Sequence, residues 1–372
     1  MLAEDGATDP KIIIHVDFDY FYAQCEEIRN PAMKTKPVVI CVFSGRTEDS
    51  GVVSTANYLA RSYGVRSGIP IRLAKSRLAS ASDAELLPMD LPYYAQVSEK
   101  AMSIIRNRPG IVEQVGIDEC YVDITSRTNN YIDAEKIAAE LKIAVKDGTE
   151  LSCSVGVGPN KLIAKIASDF VKPDGLTLVR PELVQGFLSQ LNVEKIPGIG
   201  KKTASRLAEL RVKTISDLSH LDQYLLTEEF GKKHGVFLYN ASRGIDKERV
   251  QDSSDRKQIA RIATLKKDAT ASVEMEDDLF VLCKSVAKIA SNMGVSFGNI
   301  AVFIIRSDLD QVSKSKSLKN PAESFEVLHS IAKTLLAEIM NGDGRQTARR
   351  LGVRVSDFHD SRGQNTMSEF LK

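Results

Sequence analysis

Hydrophobic spacing changes character twice along these 372 residues, and one core cannot satisfy all three patterns. From Lys11 to about Val179, short β-branched runs alternate with segments of helical periodicity. KIIIHVD, PVVICVF, IVEQVGID, CYVDI and LSCSVGVG read as strands. Tyr20 to Ile28, Thr55 to Tyr63, Asp133 to Val145 and Lys161 to Phe170 read as helices. QVGIDECYVD reads as two strands meeting at a tight turn, so this α/β unit has an antiparallel component. Between about Pro181 and Gly244 the periodicity is helical throughout, which predicts a small all-α unit. After the polar VQDSSDRK the pattern predicts strand 258–265, helix 275–293, strands 299–306 and 311–318, helix 324–340 and strand 348–358. That β-α-β-β-α-β order is the split βαβ arrangement.

Charge is nearly balanced, 50 Lys+Arg against 49 Asp+Glu, which excludes a strongly basic nucleic-acid sponge and an acidic disordered solubiliser. Counted by region, residues 1–191 hold 21 basic against 25 acidic side chains, 192–250 hold 11 against 8, and the remainder 18 against 16. Any basic surface is therefore local and belongs to the last two regions. Five dispersed cysteines show no metal-binding spacing and read as buried reduced thiols, which predicts a cytoplasmic protein. The first ten residues carry no apolar signal region, and no apolar run nears the roughly 18 residues needed to span a bilayer, so no membrane association is expected.

Two features carry chemistry. An apolar strand runs out at Asp17, and the turn of an otherwise apolar hairpin holds Asp118 beside Glu119. Adjacent like charges repel unless a cation or base is shared. Carboxylate oxygens suit Mg²⁺, and two such ions about 3.5–4 Å apart clamp the attacking and leaving oxygens of a phosphoryl transfer. On spacing alone, solvated turn acids are the favoured reading, ahead of a metal site.

VDFDYFYAQCEE, GIDECYVDI, STANYLARSYGVRSGIP, GVGPNKLIAKIASD and IPGIGKKTASRL, in this order, resemble the Y-family DNA polymerases, the lesion-bypass group of the DinB/polymerase IV type. The likeness runs roughly from Lys11 to Phe358 and implies a multi-domain α/β right-hand polymerase. Its parts would be a ferredoxin-like palm (1–19 and 87–178), small fingers (20–86), an all-α helix-hairpin-helix thumb (179–247), a linker (248–257), a β-α-β-β-α-β little finger (258–359) and a flexible tail (360–372). The activity implied is template-directed, low-fidelity addition of dNMP to a primer 3′ end, suited to bypass of DNA lesions. The resemblance makes Asp17, Asp118 and Glu119 the catalytic ligands of two Mg²⁺ ions, with Mn²⁺ able to substitute and the main-chain carbonyl of Phe18 as a further ligand. Gly116 stands where the family often has Ser, and Cys120 where Ala is common. Asp19 fits a helix N-cap and Asp123 a strand-end acid, so neither is assigned to catalysis.

On residues alone, Tyr20, Phe21 and Tyr22 are core aromatics at a helix start. The resemblance makes Tyr22 a sugar gate that excludes a 2′-hydroxyl, with Phe21 lining the same pocket. Thr55, Tyr58 and Arg61 recur every third residue, so a helix would present them together, on residues alone as a solvated side; the resemblance makes the stripe nucleotide-binding and gives Tyr58 and Arg61 the incoming triphosphate. Lys165 matches the family's triphosphate lysine; Lys161 is the weaker match. Gly198 and Gly200 precede Lys201 and Lys202 in a turn that exposes backbone N–H groups to a DNA phosphate. Alternation in the last unit puts Lys257, Arg261, Lys314 and Lys316 toward one sheet face, the expected DNA grip.

The closing QNTMSEFLK places Gln364, Met367, Phe370 and Leu371 at the spacing of the peptide that docks on ring-shaped sliding clamps, in its archaeal and eukaryotic form. With a compact chain, this favours an archaeal source. The expected partners are primed DNA, dNTPs and a sliding clamp, with the protein a monomer. Two rivals use part of the same sequence: a non-catalytic helix-hairpin-helix DNA-binding protein recruited to a clamp, and a palm-type nucleotide cyclase. The first does not need the acids, and the second does not need the thumb motif or the tail.

Overall fold

A computed structural model of the chain describes residues 11–252, 256–342 and 347–360. It forms two compact units, one from Met1–Cys41, Ser54–Ser67 and Arg77–Ser254, the other from Val42–Val53, Gly68–Ser76 and Asp255–Lys372. Segments 42–53 and 68–76, expected within the fingers, thus fall in the second unit. Its twelve strands among the described residues are β1 (Ile13–Phe18), β2 (Val38–Phe43), β3 (Gly51–Ala56), β4 (Glu85–Pro88), β5 (Ile111–Gln114), β6 (Glu119–Asp123), β7 (Cys153–Gly158), β8 (Leu176–Leu178), β9 (Gln258–Ala269), β10 (Val295–Arg306), β11 (Gln311–Ala322) and β12 (Ala348–Asp360). Among these residues no helix is long and apolar enough to cross a membrane.

The palm is a five-stranded sheet of order β5-β6-β1-β7-β8. Helix Leu91–Arg106 lies between β1 and β5 in sequence, and helix Tyr131–Thr149 between β6 and β7. Its first four strands therefore have the ferredoxin-like order, with the fingers inserted before the first crossover helix. The period-2 alternation of β1 sorts its residues cleanly. Ile14, Val16 and Phe18 join Cys120, Val122, Val155 and Val157 against the crossover helices, whose Tyr94, Met102, Ile105, Leu141 and Val145 fill that core. The opposite face carries helix Lys161–Ser168. Gly156 lets its backbone lie on the sheet: a Cβ there would stand 2.0 Å from the carbonyl oxygen of Ala164. A small sheet of order β3-β2-β4, with β2 and β4 parallel, belongs to the fingers segment.

The all-α stretch folds as predicted around Leu207, Ile215, Leu218, Leu226 and Leu238. Helix Lys201–Glu209 starts at Gly200, just after Gly198, whose φ of 92° is a left-handed conformation suited to glycine. A second helical turn, Gln223–Phe230 to Lys232–Ser242, pivots on Gly231 with φ 78°.

In the second unit, β11-β10-β12-β9 form an antiparallel sheet. β12 separates β9 from β10 and β10 separates β11 from β12, so both βαβ crossovers are split as expected. Helices Glu276–Met293 and Phe325–Met340 pack with Ile300, Val302, Ile304, Val353 and Val355. The other face is polar and basic: Asn299, Ala301, Phe303 and Ile305 lie opposite Ser317, Ser315, Ser313 and Gln311 on one side, and Ser356, Arg354, Gly352 and Arg350 on the other. Gly352 is where Phe303 lies flat across the strand, since a Cβ would meet its ring at 2.1 Å.

Candidate active site

Strand register places the acids. Asp17 lies directly opposite Glu119 across the antiparallel β1 and β6 pair, on the sheet face that holds helix Lys161–Ser168. The Phe18 N–H donates to the Asp118 carbonyl at 2.8 Å, pinning the hairpin tip to the end of β1. Gly116 leaves room for both hairpin acids; a Cβ there would sit 3.0 Å from Glu119 Cγ and 3.3 Å from Asp118 Oδ1.

Burial raises the Asp17 carboxyl to about 6, against the opposing pull of Lys172, whose Nζ donates to Asp17 Oδ1 at 2.7 Å. Asp118 is also pushed up, by burial and then by the charge of Glu119. Glu119 goes the other way. His15 and the ammonium of Lys165 hold it at about 2 in spite of burial. His15 is fully buried, and burial depresses its own ionisation. Its Nε2 stands 3.3 Å from Glu119 Oε2 without an aligned hydrogen bond, and its Nδ1 shares a 2.8 Å hydrogen bond with Ser168 Oγ. Among the described residues, no three acids, histidines or cysteines converge tightly enough to hold a metal ion. Asp17 and Glu119 each face a lysine instead. The donor set itself, half-buried carboxylates at the end of interior strand β1 and the adjoining hairpin tip, is all oxygen and suits a hard divalent cation.

Beside the acids is a cavity of about 270 Å³ lined by Asp17, Phe18, Tyr20, Phe21, Tyr22, Ser54, Thr55, Tyr58, Arg61, Ser67, Asp118 and Lys172. It gathers eight of the residues given site roles from the sequence: Asp17, Phe18, Phe21, Tyr22, Thr55, Tyr58, Arg61 and Asp118. The Tyr22 ring stacks on Tyr94 at 4.8 Å between centroids and 22° between planes. Tyr20 and Tyr58 meet edge to face at 5.3 Å, and the Arg61 guanidinium lies 4.9 Å from the Tyr58 ring centre. Phe21 lines the cavity, but it is a buried core residue against Phe18 and Tyr22.

Several expectations need correction. Thr55 is not on the helix of Tyr58 and Arg61; it is the penultimate residue of β3, because Asn57 caps the helix by accepting from Ala60 N at 3.0 Å. The three residues still line one cavity. Lys165 is not among the lining residues, whereas Lys172, not singled out from the sequence, is. Lys161 is buried and structural, paired with Glu113 at 2.9 Å and Glu248 at 3.1 Å. Asp19 is no helix cap: it accepts from Ser154 Oγ at 2.7 Å, Ser152 Oγ at 3.1 Å and Asp174 N at 2.8 Å, while left-handed Tyr20 starts the helix. Asp123 does close a turn at a strand end, accepting from Thr125 N at 2.9 Å.

In the thumb, Lys201 and Lys202 are exposed on the first turn after Gly200. On the last sheet, Arg261 opposes Val353, and Lys314 and Lys316 oppose Val302 and Ile300, which are core residues. These basic residues therefore share one face, but it is the helix-packed face at its two edges, and Lys314 pairs there with Glu338 at 3.0 Å. Register missed from sequence puts Arg350 and Arg354 on the other face. Gln364, Met367, Phe370 and Leu371 lie outside the described residues.

Known proteins match along nearly the whole chain. Residues 16–169 match the impB/mucB/samB family, 194–246 match a domain described as DNA polymerase-iota, thumb domain, and 256–368 match the impB/mucB/samB family C-terminal domain. DNA polymerase IV of Nitrosopumilus maritimus (strain SCM1) is 47% identical over 364 residues, covering 98% of this chain and 100% of that protein. DNA polymerase IV of Metallosphaera sedula is 38% identical, with 97% and 99% covered. Among solved structures, a Y-family DNA polymerase chimera of Dbh and Dpo4 aligns with a TM-score of 0.86 at 35% identity, over 93% of this chain and 98% of that one. An insertion ternary complex of Dbh DNA polymerase aligns at 0.69 and 34% identity, with the same coverage. Spanning both the acid-bearing palm and the domains that follow it, these likenesses leave one assignment: the chain belongs to the Y-family DNA polymerases of the DinB type and is a DNA-directed DNA polymerase.

Proposed function

We propose that this translesion polymerase adds dNMP to the primer 3′ end at the acids Asp17, Asp118 and Glu119, with the triphosphate in the adjoining cavity. The observation that carries the reading is the register that sets Glu119 opposite Asp17, which with Asp118 lines a cavity that also presents Arg61, Tyr58, Thr55 and Lys172. Two Mg²⁺ ions, when bound, would lower the pKa of the primer hydroxyl and neutralise charge on the triphosphate. Asp17, Asp118, Glu119 and the Phe18 carbonyl would hold them, displacing the ammonium groups of Lys172 and Lys165 from the carboxylates.

Arg61 offers a planar fork for phosphate oxygens, and its side chain is steadied by donation from Nε to the Ala56 carbonyl at 2.8 Å. Lys172 supplies a second cation, freed as the metal takes Asp17; we assign it, in preference to Lys165, to the triphosphate. Tyr22 presents its ring to the sugar. Primed DNA and dNTPs are then the substrates. The Gly198–Lys202 turn grips phosphate through backbone N–H groups and two lysines. The polar sheet face with Arg350 and Arg354 supplies the further grip, and Gln364, Met367, Phe370 and Leu371 dock on a sliding clamp.

Primer extension on undamaged and single-lesion templates with Mg²⁺ tests the reading. Extension should vanish in the Asp118→Ala, Glu119→Ala protein; extension at the normal rate would overturn it. Deleting 364–372 should remove stimulation by a clamp and spare basal extension.

A further inference from the structure

Resting on the reading of Tyr22 as sugar gate, we propose that Tyr94 is a specificity-determining residue that acts through Tyr22 by fixing the plane of its ring. An added 2′-hydroxyl is a small steric difference, and an apolar wall rejects it weakly if the wall can yield. Selectivity then depends on what stands behind the gate.

Behind Tyr22 stands a ring with no freedom. Tyr94 is fully buried and stacks on Tyr22 with centroids 4.8 Å apart and planes 22° apart. Its hydroxyl donates to Glu26 Oε1 at 2.8 Å, one turn along the helix that carries Tyr22. The same two helices are fastened twice more: Arg29 donates to Asp90 Oδ2 at 2.8 Å, and the Tyr93 hydroxyl donates to the Cys25 carbonyl at 3.3 Å. Tyr22 therefore cannot tilt away from the cavity without entering space that Tyr94 fills. Tyr94 itself is absent from the cavity lining, so its effect on an incoming sugar must pass through Tyr22.

The test is single-nucleotide insertion, reading the ratio of kcat/KM for a dNTP to that for the matching rNTP. Tyr94→Phe keeps the ring and should keep the ratio. Tyr94→Leu removes the stack and should lower the ratio by about threefold to tenfold, the range of an aromatic pair, through a lower rNTP KM. A merely structural loss would depress both nucleotides alike. In a Tyr22→Ala background, Tyr94→Leu should change the ratio no further. The inference is overturned if Tyr22→Ala lowers the ratio while Tyr94→Leu leaves it unchanged, or if the two effects multiply. If Tyr22→Ala itself leaves the ratio unchanged, the gate reading falls, and the role of Tyr94 with it. Should Tyr94→Leu fail to fold, Tyr94→Met, nearer in volume but without a flat ring, carries the same expectations.

Discussion

Replacing Asp17 by Asn should make the metal-free protein more stable while destroying its chemistry. The folded Asp17 carboxyl, at about 6, binds its proton more tightly than the value of 3.8 expected without burial. A group raised in this way contributes stability below its unfolded pKa, and that stability is lost as pH rises through the folded value. A gap of about two pH units corresponds to about 3 kcal/mol at neutral pH and above. The side chain is only 19% exposed, so solvent screening removes little of this. Asn resembles the neutral carboxyl, and the attraction of Lys172 is already contained in the shifted value. Thermal unfolding in EDTA at about pH 7.5 should therefore show Asp17→Asn melting higher by roughly 6–12 °C. Near pH 4.5 the advantage should shrink to about 1 kcal/mol, because the native carboxyl is then mostly protonated in the fold. Mg²⁺ should raise the melting temperature of the wild type more than that of the variant. Equal melting at the higher pH, or an advantage undiminished at the lower, would refute the claim that burial of an ionised Asp17 strains the apo fold.

Three further outcomes follow from the geometry. Lys172→Ala should raise the dNTP KM by about tenfold to a hundredfold, the worth of a charge-assisted hydrogen bond, in steady-state insertion assays, with Lys165→Ala raising it less. Arg350→Ala with Arg354→Ala should weaken binding to duplex DNA of any sequence and reduce the slope of log K against log salt by about 2; an Arg261→Ala, Lys314→Ala pair should reduce it less. Gly352→Ala should destabilise the second unit by about 1–3 kcal/mol through overpacking against Phe303, seen as a lower denaturation midpoint.

What sequence revealed and what it hid divide along physical lines. Period-2 runs with β-branched residues located β1, β6 and β7, and the C-terminal element order emerged in full because its strands and helices are long. Helix Leu91–Arg106 was missed although its signals are present, an Asp90 cap, Pro92 in the first turn, and Tyr94, Ala101, Met102 and Ile105 at helical spacing. The three-residue spacing of Thr55, Tyr58 and Arg61 misled, since Asn57 stops the strand and starts the helix between them. Lys172 had no motif to announce it: its place at the cavity comes from the chain returning from helix Lys161–Ser168 toward β1. Alternation correctly grouped the basic residues of the last unit, but which face the helices would cover is settled only by register.

The pairing of Asp17 with Glu119 also makes the site hard to misbuild. In β6, Glu119, Tyr121 and Asp123 point to one face while Cys120 and Val122 enter the core. A slip of one residue against β1 would drive two acids into that core and move its apolar side chains to the face where the acids belong. Misregistered chains are thus eliminated by their own instability, and quality control that senses only folding also screens for correctly spaced acids. Substitutions that weaken the palm should lower the yield of enzyme well before they lower the turnover of each surviving molecule.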